Sequence, residues 1–220
     1  MSGFVTGTLR EAARAIGQAP VLFATLTVVS MLPGLFGLAL LGKSDQRVTI
    51  LVGGLLNLYL QLFATARALD LMGAMPADWR RADATEGRFP SAFLASFLSV
   101  LAILLGLALL IVPGIVLMAL WGVWMPALLA ERLGATEALR RSWRLVRPHP
   151  GRVVALLGVS STGLLLVVSS GVAPVVVWGD TALPAADWAI EPLLALWTIA
   201  SAVLWAAAYV RLSRIKGGGN

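Results

Sequence analysis

The sequence predicts an all-α, polytopic membrane bundle of six transmembrane helices. Three observations carry this: the composition, the lengths of the charge-free stretches, and the distribution of basic residues between them. Of 220 residues, 59% are hydrophobic and only 13% charged, with a mean hydropathy of +0.87. Globular chains are about 45–50% apolar and about 25% charged, so this chain departs in both directions, as expected where lipid is the solvent.

A helix rises about 1.5 Å per residue and a bilayer's hydrocarbon core is about 30 Å thick, so roughly 20 uncharged, apolar residues make one crossing. Charge-free stretches of 28 residues between Arg14 and Lys43, 19 between Arg47 and Arg67, 27 between Arg152 and Asp180, and 19 between Glu191 and Arg211 each hold one. Residues 89–130 form a stretch of 42, enough for two, and the helix-breaking pair Pro113-Gly114 near its middle predicts a tight turn. The spans are therefore read at 20–42, 48–68, 90–112, 115–132, 153–174 and 192–212. The fourth is the shortest, which leaves a re-entrant hairpin as the alternative for the third and fourth. A signal peptide is the competing reading of residues 1–42, but 28 uncharged residues exceed a signal core of about 7–15 and no small-x-small cleavage site precedes Lys43.

Orientation follows from arginine and lysine, because positively charged short loops stay cytoplasmic. With both termini inside, 15 of the 17 basic residues fall on the cytoplasmic side, leaving only Lys43 and Arg47 outside. The loop between the fifth and sixth spans carries Asp180, Asp187 and Glu191 without a base, and its Trp178 and Trp188 suit interfacial anchoring. This placement assigns the net charge of +6 to a membrane surface and not to nucleic acid.

The chain reads as a single membrane domain with a threefold internal repeat, at 1–72, 73–133 and 134–220. Each pair of spans is led by a short segment of helical periodicity. In residues 4–16, Val5, Leu9, Ala12, Ala13 and Ile16 share a face opposite Arg10, Glu11 and Arg14. In residues 134–147, Leu139, Trp143 and Val146 form an apolar stripe, with Arg140, Arg144 and Arg147 on another face and Glu137 and Arg141 paired at i, i+4. The middle copy, 76–88, is shorter, with Trp79-Arg80-Arg81 as its counterpart of Trp143-Arg144. Such helices lie flat in the headgroup layer, where anionic lipid attracts each basic residue by about 1 kcal/mol.

Chemistry is sparse. There is no cysteine and one histidine, His149, which excludes disulfides and cysteine-ligated metal and leaves no paired metal or catalytic set. No phosphate-binding glycine loop or nucleophile elbow is present, so no enzyme, cofactor or metal is expected. Ionisable residues avoid the span centres. Arg67 and Asp70, at the inner end of the second span, and Glu131, at that of the fourth, suggest local ion pairs or snorkelling. Asn57 and Gln61, one turn apart in the second span, suggest hydrogen bonds to a neighbouring helix.

The stretch 124–152, WMPALLAERLGATEALRRSWRLVRPHPGR, resembles the signature of the bacterial YciC-like proteins and of the related membrane domain attached to some glycerophosphoryl diester phosphodiesterases. Its elements are Pro126, Glu131, Gly134, the run Ala138 to Trp143, and Leu145-Val146-Arg147. The resemblance implies a bacterial inner-membrane protein concerned with envelope maintenance. It brings no catalysis, since the fused relatives hydrolyse with a separate soluble domain for which this chain has no room.

Two functions are expected from different classes. One is a non-enzymatic protein that organises anionic lipid or partner proteins through Arg140, Trp143, Arg144 and Arg147. The other is a small permease or exporter acting as an oligomer, which needs a polar, water-accessible cavity reaching the midplane near Asn57 and Gln61.

Overall fold

The computed structural model describes residues 2–36, 46–76, 87–178 and 183–217, and within them all regular structure is helical. The helices are α1 (Ser2–Gln18), α2 (Pro20–Phe36), α3 (Gln46–Leu71), α4 (Phe89–Leu109), α5 (Ile111–Trp121), α6 (Trp124–Ala130), α7 (Ala135–Val146), α8 (Pro150–Trp178) and α9 (Leu183–Gly217). Proline opens α2 and α8 at the first helical position and α4 at the second, where its missing N–H has no intrahelical partner to lose.

Four stretches are long and apolar enough to cross a membrane: Phe89–Leu109, Val112–Ala130, Pro150–Ser170 and Ile190–Ile215. Helices α1 and α2 meet the same test only as a pair, and they bend by 93° at their break. Large apolar side chains such as Phe97, Leu104, Leu109, Leu165 and Leu166 are exposed on α4 and α8. Water would not tolerate so continuous an apolar surface, whereas lipid tails would cover it.

The bundle closes on α9, which packs against α1, α2, α3 and α8. Its inner face, with Ala202, Ala206, Ala207 and Ala208, is small enough for close helix approach. Phe4 of α1 is buried with the Arg211 guanidinium 5.7 Å and the Arg152 guanidinium 6.0 Å from its ring centroid. Gly7 leaves the space that Arg211 fills, and Arg214 Nη1 lies 3.0 Å from Glu11 Oε1.

Several expectations are corrected in detail. The turn between the third and fourth spans falls at Leu110, whose backbone is extended, three residues before Pro113. Pro113 and Gly114 instead sit in the first turn of α5, where a proline costs no hydrogen bond. Gly114 permits that tight return, because a Cβ there would overlap the Leu107 side chain and come within 2.8 Å of the Leu107 nitrogen. Helices α8 and α9 run to Trp178 and from Leu183, so Asp187 and Glu191 belong to a helix and not to a loop. Within α1 the buried line is Phe4, Thr8, Ala12 and Ala15, while Leu9 and Ala13 face outwards. Small residues on that line let α1 approach α9 closely, and the fit between the two helices outweighs the burial of the larger Leu9. The middle amphipathic segment falls largely at 77–86, outside the described residues.

Two helices end alike. After α3, Gly73 takes a left-handed φ of 67° and Ala74 N–H donates to Leu69 O at 2.9 Å. After α6, Arg132 takes a φ of 55° and Leu133 N–H donates to Leu128 O at 3.1 Å. Both are the same six-residue C-terminal closure, one with the usual glycine and one with an arginine.

Candidate functional site

The apolar stretch Val112–Ala130 is broken. Helix α5 ends at Trp121, α6 starts at Trp124, and Gly122-Val123 turn between them. A break strips the last carbonyls of α5 of their intrahelical donors, and the chain must replace them. Ser142 of α7 does so: its fully buried hydroxyl donates to Leu120 O at 2.8 Å. Gly122 is required here because Trp205 of α9 lies across it, where a Cβ would meet the indole ring at 2.6 Å.

Helix α7 is held at a second point. Arg141 Nε donates to Glu131 Oε1 at 2.7 Å, and Tyr209 Oη of α9 donates to the same oxygen at 2.8 Å. Glu131 thereby joins the end of α6 to α7 and α9. Glu137 does not pair with Arg141 as its spacing suggests; it turns back to accept from Gly134 N–H at 3.0 Å. At the third helical position a glutamate is well placed to satisfy a free N–H of the helix start.

With Ala135, Ala138, Leu139, Ser142, Leu145 and Val146 buried, the opposite face of α7 is open. Trp143 lies on that face, 39% exposed, and not in the buried stripe with Leu139 and Val146. Arg140 and Arg144 flank it, one turn apart, and with Trp121 and Leu139 these residues line a groove of about 530 Å³. Arg147, also exposed, lies beyond the groove and closes the helix through its N–H to Trp143 O. His149 continues the turn with a backbone bond to Val146 O at 2.8 Å.

On the other side of the break a cavity of about 360 Å³ lies between α3, α4, α5, α6, α8 and α9. Trp121, Trp124, Trp197 and Trp205 line it together with Gln61, Thr65, Ser99, Ser160, Ser161 and Ser201, and none of the described lining residues is charged. Gln61 reaches the cavity, but its Nε2 donates to Asn57 Oδ1 at 2.8 Å, so these two residues bond along α3. Arg67 and Asp70 pair at 3.8 Å on α3, half-exposed, away from both the groove and the cavity. Among the described residues no cluster of histidine, aspartate and glutamate could hold a metal ion.

Arg140 and Arg144 are legible from sequence as the charged face of an amphipathic helix, whereas the place of Trp143 between them is not, since its spacing groups it with Leu139 and Val146 on the apolar stripe. Ser142, Tyr209, Trp121 and the four-tryptophan lining are not, because each acts across helices distant in the chain. The signal for the break is present in Gly122 followed by Pro126, two residues that weaken a helix within about one turn of each other.

No protein-family model, curated protein or solved structure matches this chain.

Proposed function

We propose that the chain is a non-enzymatic protein of a bacterial inner membrane that holds anionic lipid headgroups in the α7 groove, and so organises lipid or partner proteins on the cytoplasmic face. In this reading it crosses the membrane six times as three hairpins, each led by an amphipathic helix, with both termini in the cytoplasm. The observation that carries the proposal is the division of labour on α7. Ser142 and Arg141 fasten the helix to the bundle, which leaves Arg140 and Arg144 to pair with an anion beside two indoles. Two guanidiniums held on a fixed helix suit a phosphate better than mobile side chains do, since less freedom is lost on pairing. Tryptophan at the groove wall suits the boundary between headgroup and acyl chain. The resemblance of 124–152 to envelope-maintenance proteins agrees with this reading.

The test is native mass spectrometry of the detergent-solubilised chain with phosphatidylglycerol, cardiolipin and phosphatidylethanolamine. Replacing Arg140, Arg144 and Arg147 with glutamine should release the two anionic lipids and leave the zwitterionic one unchanged. Equal retention of all three by the triple variant would count decisively against lipid recognition here.

A second reading, a small permease or exporter acting as an oligomer, is favoured by the cavity beside the break in α5–α6, which carries hydroxyls among indoles and apolar side chains. Broken helices at membrane depth recur where a protein lines a passage or a binding site. Reconstituted vesicles that release entrapped ethidium no faster than protein-free vesicles would remove this reading.

A further inference from the structure

We propose that the cavity between α3, α4, α5–α6, α8 and α9 holds the hydroxyl-bearing head of an uncharged lipid of the monoacylglycerol class. The proposal goes beyond the α7 groove, which takes anionic headgroups. It shares its cavity with the transport reading, but binding is measured here without translocation, so each of the three can fail alone.

Charge is selected against first. No described lining residue carries one, and most of the walls belong to stretches apolar enough to cross a membrane. An ion of either sign would give up its hydration there and meet no counter-charge. A neutral guest escapes that cost.

Hydrogen bonding then selects against a plain hydrocarbon. Trp121, Trp124 and Trp205 line the cavity, and their indole N–H groups have no acceptor among the described residues. An indole nitrogen only donates, so each of these needs an oxygen from outside the lining. Trp197 differs, since its N–H already donates to Ser160 O at 3.1 Å. Three hydroxyls have the opposite need. Thr65 Oγ1 donates to Gln61 O at 2.7 Å, Ser99 Oγ to Ser96 O at 2.8 Å, and Ser201 Oγ to Thr198 O at 2.9 Å, which leaves their oxygens as acceptors. Ser160, buried at 8% exposure and with no partner for its Oγ among the described residues, serves either way.

A hydroxyl is the neutral group that answers both needs, because it donates one bond and accepts two. The head of a monoacylglycerol brings two hydroxyls and its ester oxygens together, so it meets several of these groups at once. A cavity of about 360 Å³ encloses such a head with the first part of its chain. Apolar walls continue the site outwards: Ile103 of α4 and Leu164 of α8 line the cavity, and the adjoining Leu104 and Leu165 are 58% and 65% exposed on the surface that lipid tails would cover. An acyl chain running past Ile103 and Leu164 meets apolar side chains and then lipid.

The test is native mass spectrometry of the full chain at pH 8.5 in dodecyldimethylamine oxide, a detergent without hydroxyls. The probes are monolauroylglycerol, methyl laurate, laurate and dodecyltrimethylammonium at equal mole fraction, which share a chain and differ in hydroxyls and charge. Monolauroylglycerol should be retained about tenfold more than methyl laurate, the gain expected of one hydrogen bond at the strong end of its range. Laurate has the groove arginines as a second site, so the two charged probes are judged in the variant with Arg140, Arg144 and Arg147 replaced by glutamine. There too monolauroylglycerol should be retained about tenfold more than either. Equal retention of methyl laurate, preference for a charged probe in the variant, or loss of monolauroylglycerol with the three arginines would each overturn the proposal. Ser160→Ala removes a hydroxyl and little volume, and should cut the preference over methyl laurate about threefold or more. An unchanged preference would place the lipid outside the cavity and overturn the assignment. Equilibrium dialysis with free glycerol supplies the last arm: saturable binding as tight as that of monolauroylglycerol would mark a water-borne ligand and overturn the lipid.

Discussion

The Ser142 hydroxyl of α7 donates to the Leu120 carbonyl of α5 at 2.8 Å, with the serine fully buried. An amphipathic helix is thus hydrogen-bonded directly to the break in an apolar stretch long enough to cross a membrane. Movement of α7 cannot leave that break unaffected.

Ser142→Ala removes the donor and leaves the Leu120 oxygen buried without a partner. A loss of about 1–3 kcal/mol is expected. Thermal unfolding of the detergent-solubilised variant measures it, and an unchanged midpoint would show that the break is satisfied by other means. Ser142→Thr keeps the hydroxyl and should lose less.

Glu131 should behave as a shared acceptor. Tyr209→Phe deletes one bond, costing about 0.5–1.5 kcal/mol, whereas Glu131→Ala also strands the Arg141 guanidinium and should cost more. Because both partners meet the same oxygen, a double-mutant cycle of Tyr209→Phe with Glu131→Ala should show coupling of about 0.5–3 kcal/mol. Additive losses would place the stabilisation elsewhere.

Arg132 holds a left-handed conformation that costs a non-glycine residue about 1–2 kcal/mol. Arg132→Gly should therefore raise the unfolding midpoint, in contrast to the usual effect of adding a glycine. The equivalent position after α3 already has Gly73, and Gly73→Ala should lower the midpoint by a similar free energy.

Gly114 faces Leu107 so closely that any side chain must part α4 from α5. Gly114→Ala is expected to destabilise by about 1–3 kcal/mol through overpacking. Gly54, with open space around its missing Cβ, supplies the control and should tolerate alanine without loss.

Much of the fold is legible in the sequence because its signals are local. Helix α7 follows from the spacing of Leu139 and Val146, and α1 from its apolar period, although the line it buries is Phe4, Thr8, Ala12 and Ala15 and not the face that period marks. The turn before α5 escapes a sequence reading because Pro113 marks a helix start as readily as a helix end, and only the close approach of Gly114 to Leu107 separates the two. The arginines of the groove are legible as a charged face. The cavity is not, since its hydroxyls lie on four separate helices and each is ordinary in its own stretch. What makes them a set is that four helices bring them to one space, which no spacing rule encodes.

The pairing of α1 with α9 sets an order of assembly. Glu11 and Arg214 are 203 positions apart, and Phe4 depends on Arg211 for its cover. A ribosome makes α1 well before α9, so the face carrying Phe4 and Thr8 waits without its partner while the helices between them are made. Chains stalled before α9 keep an uncovered patch on α1. That patch distinguishes an unfinished product from a finished one and gives proteolytic surveillance a physical mark to read.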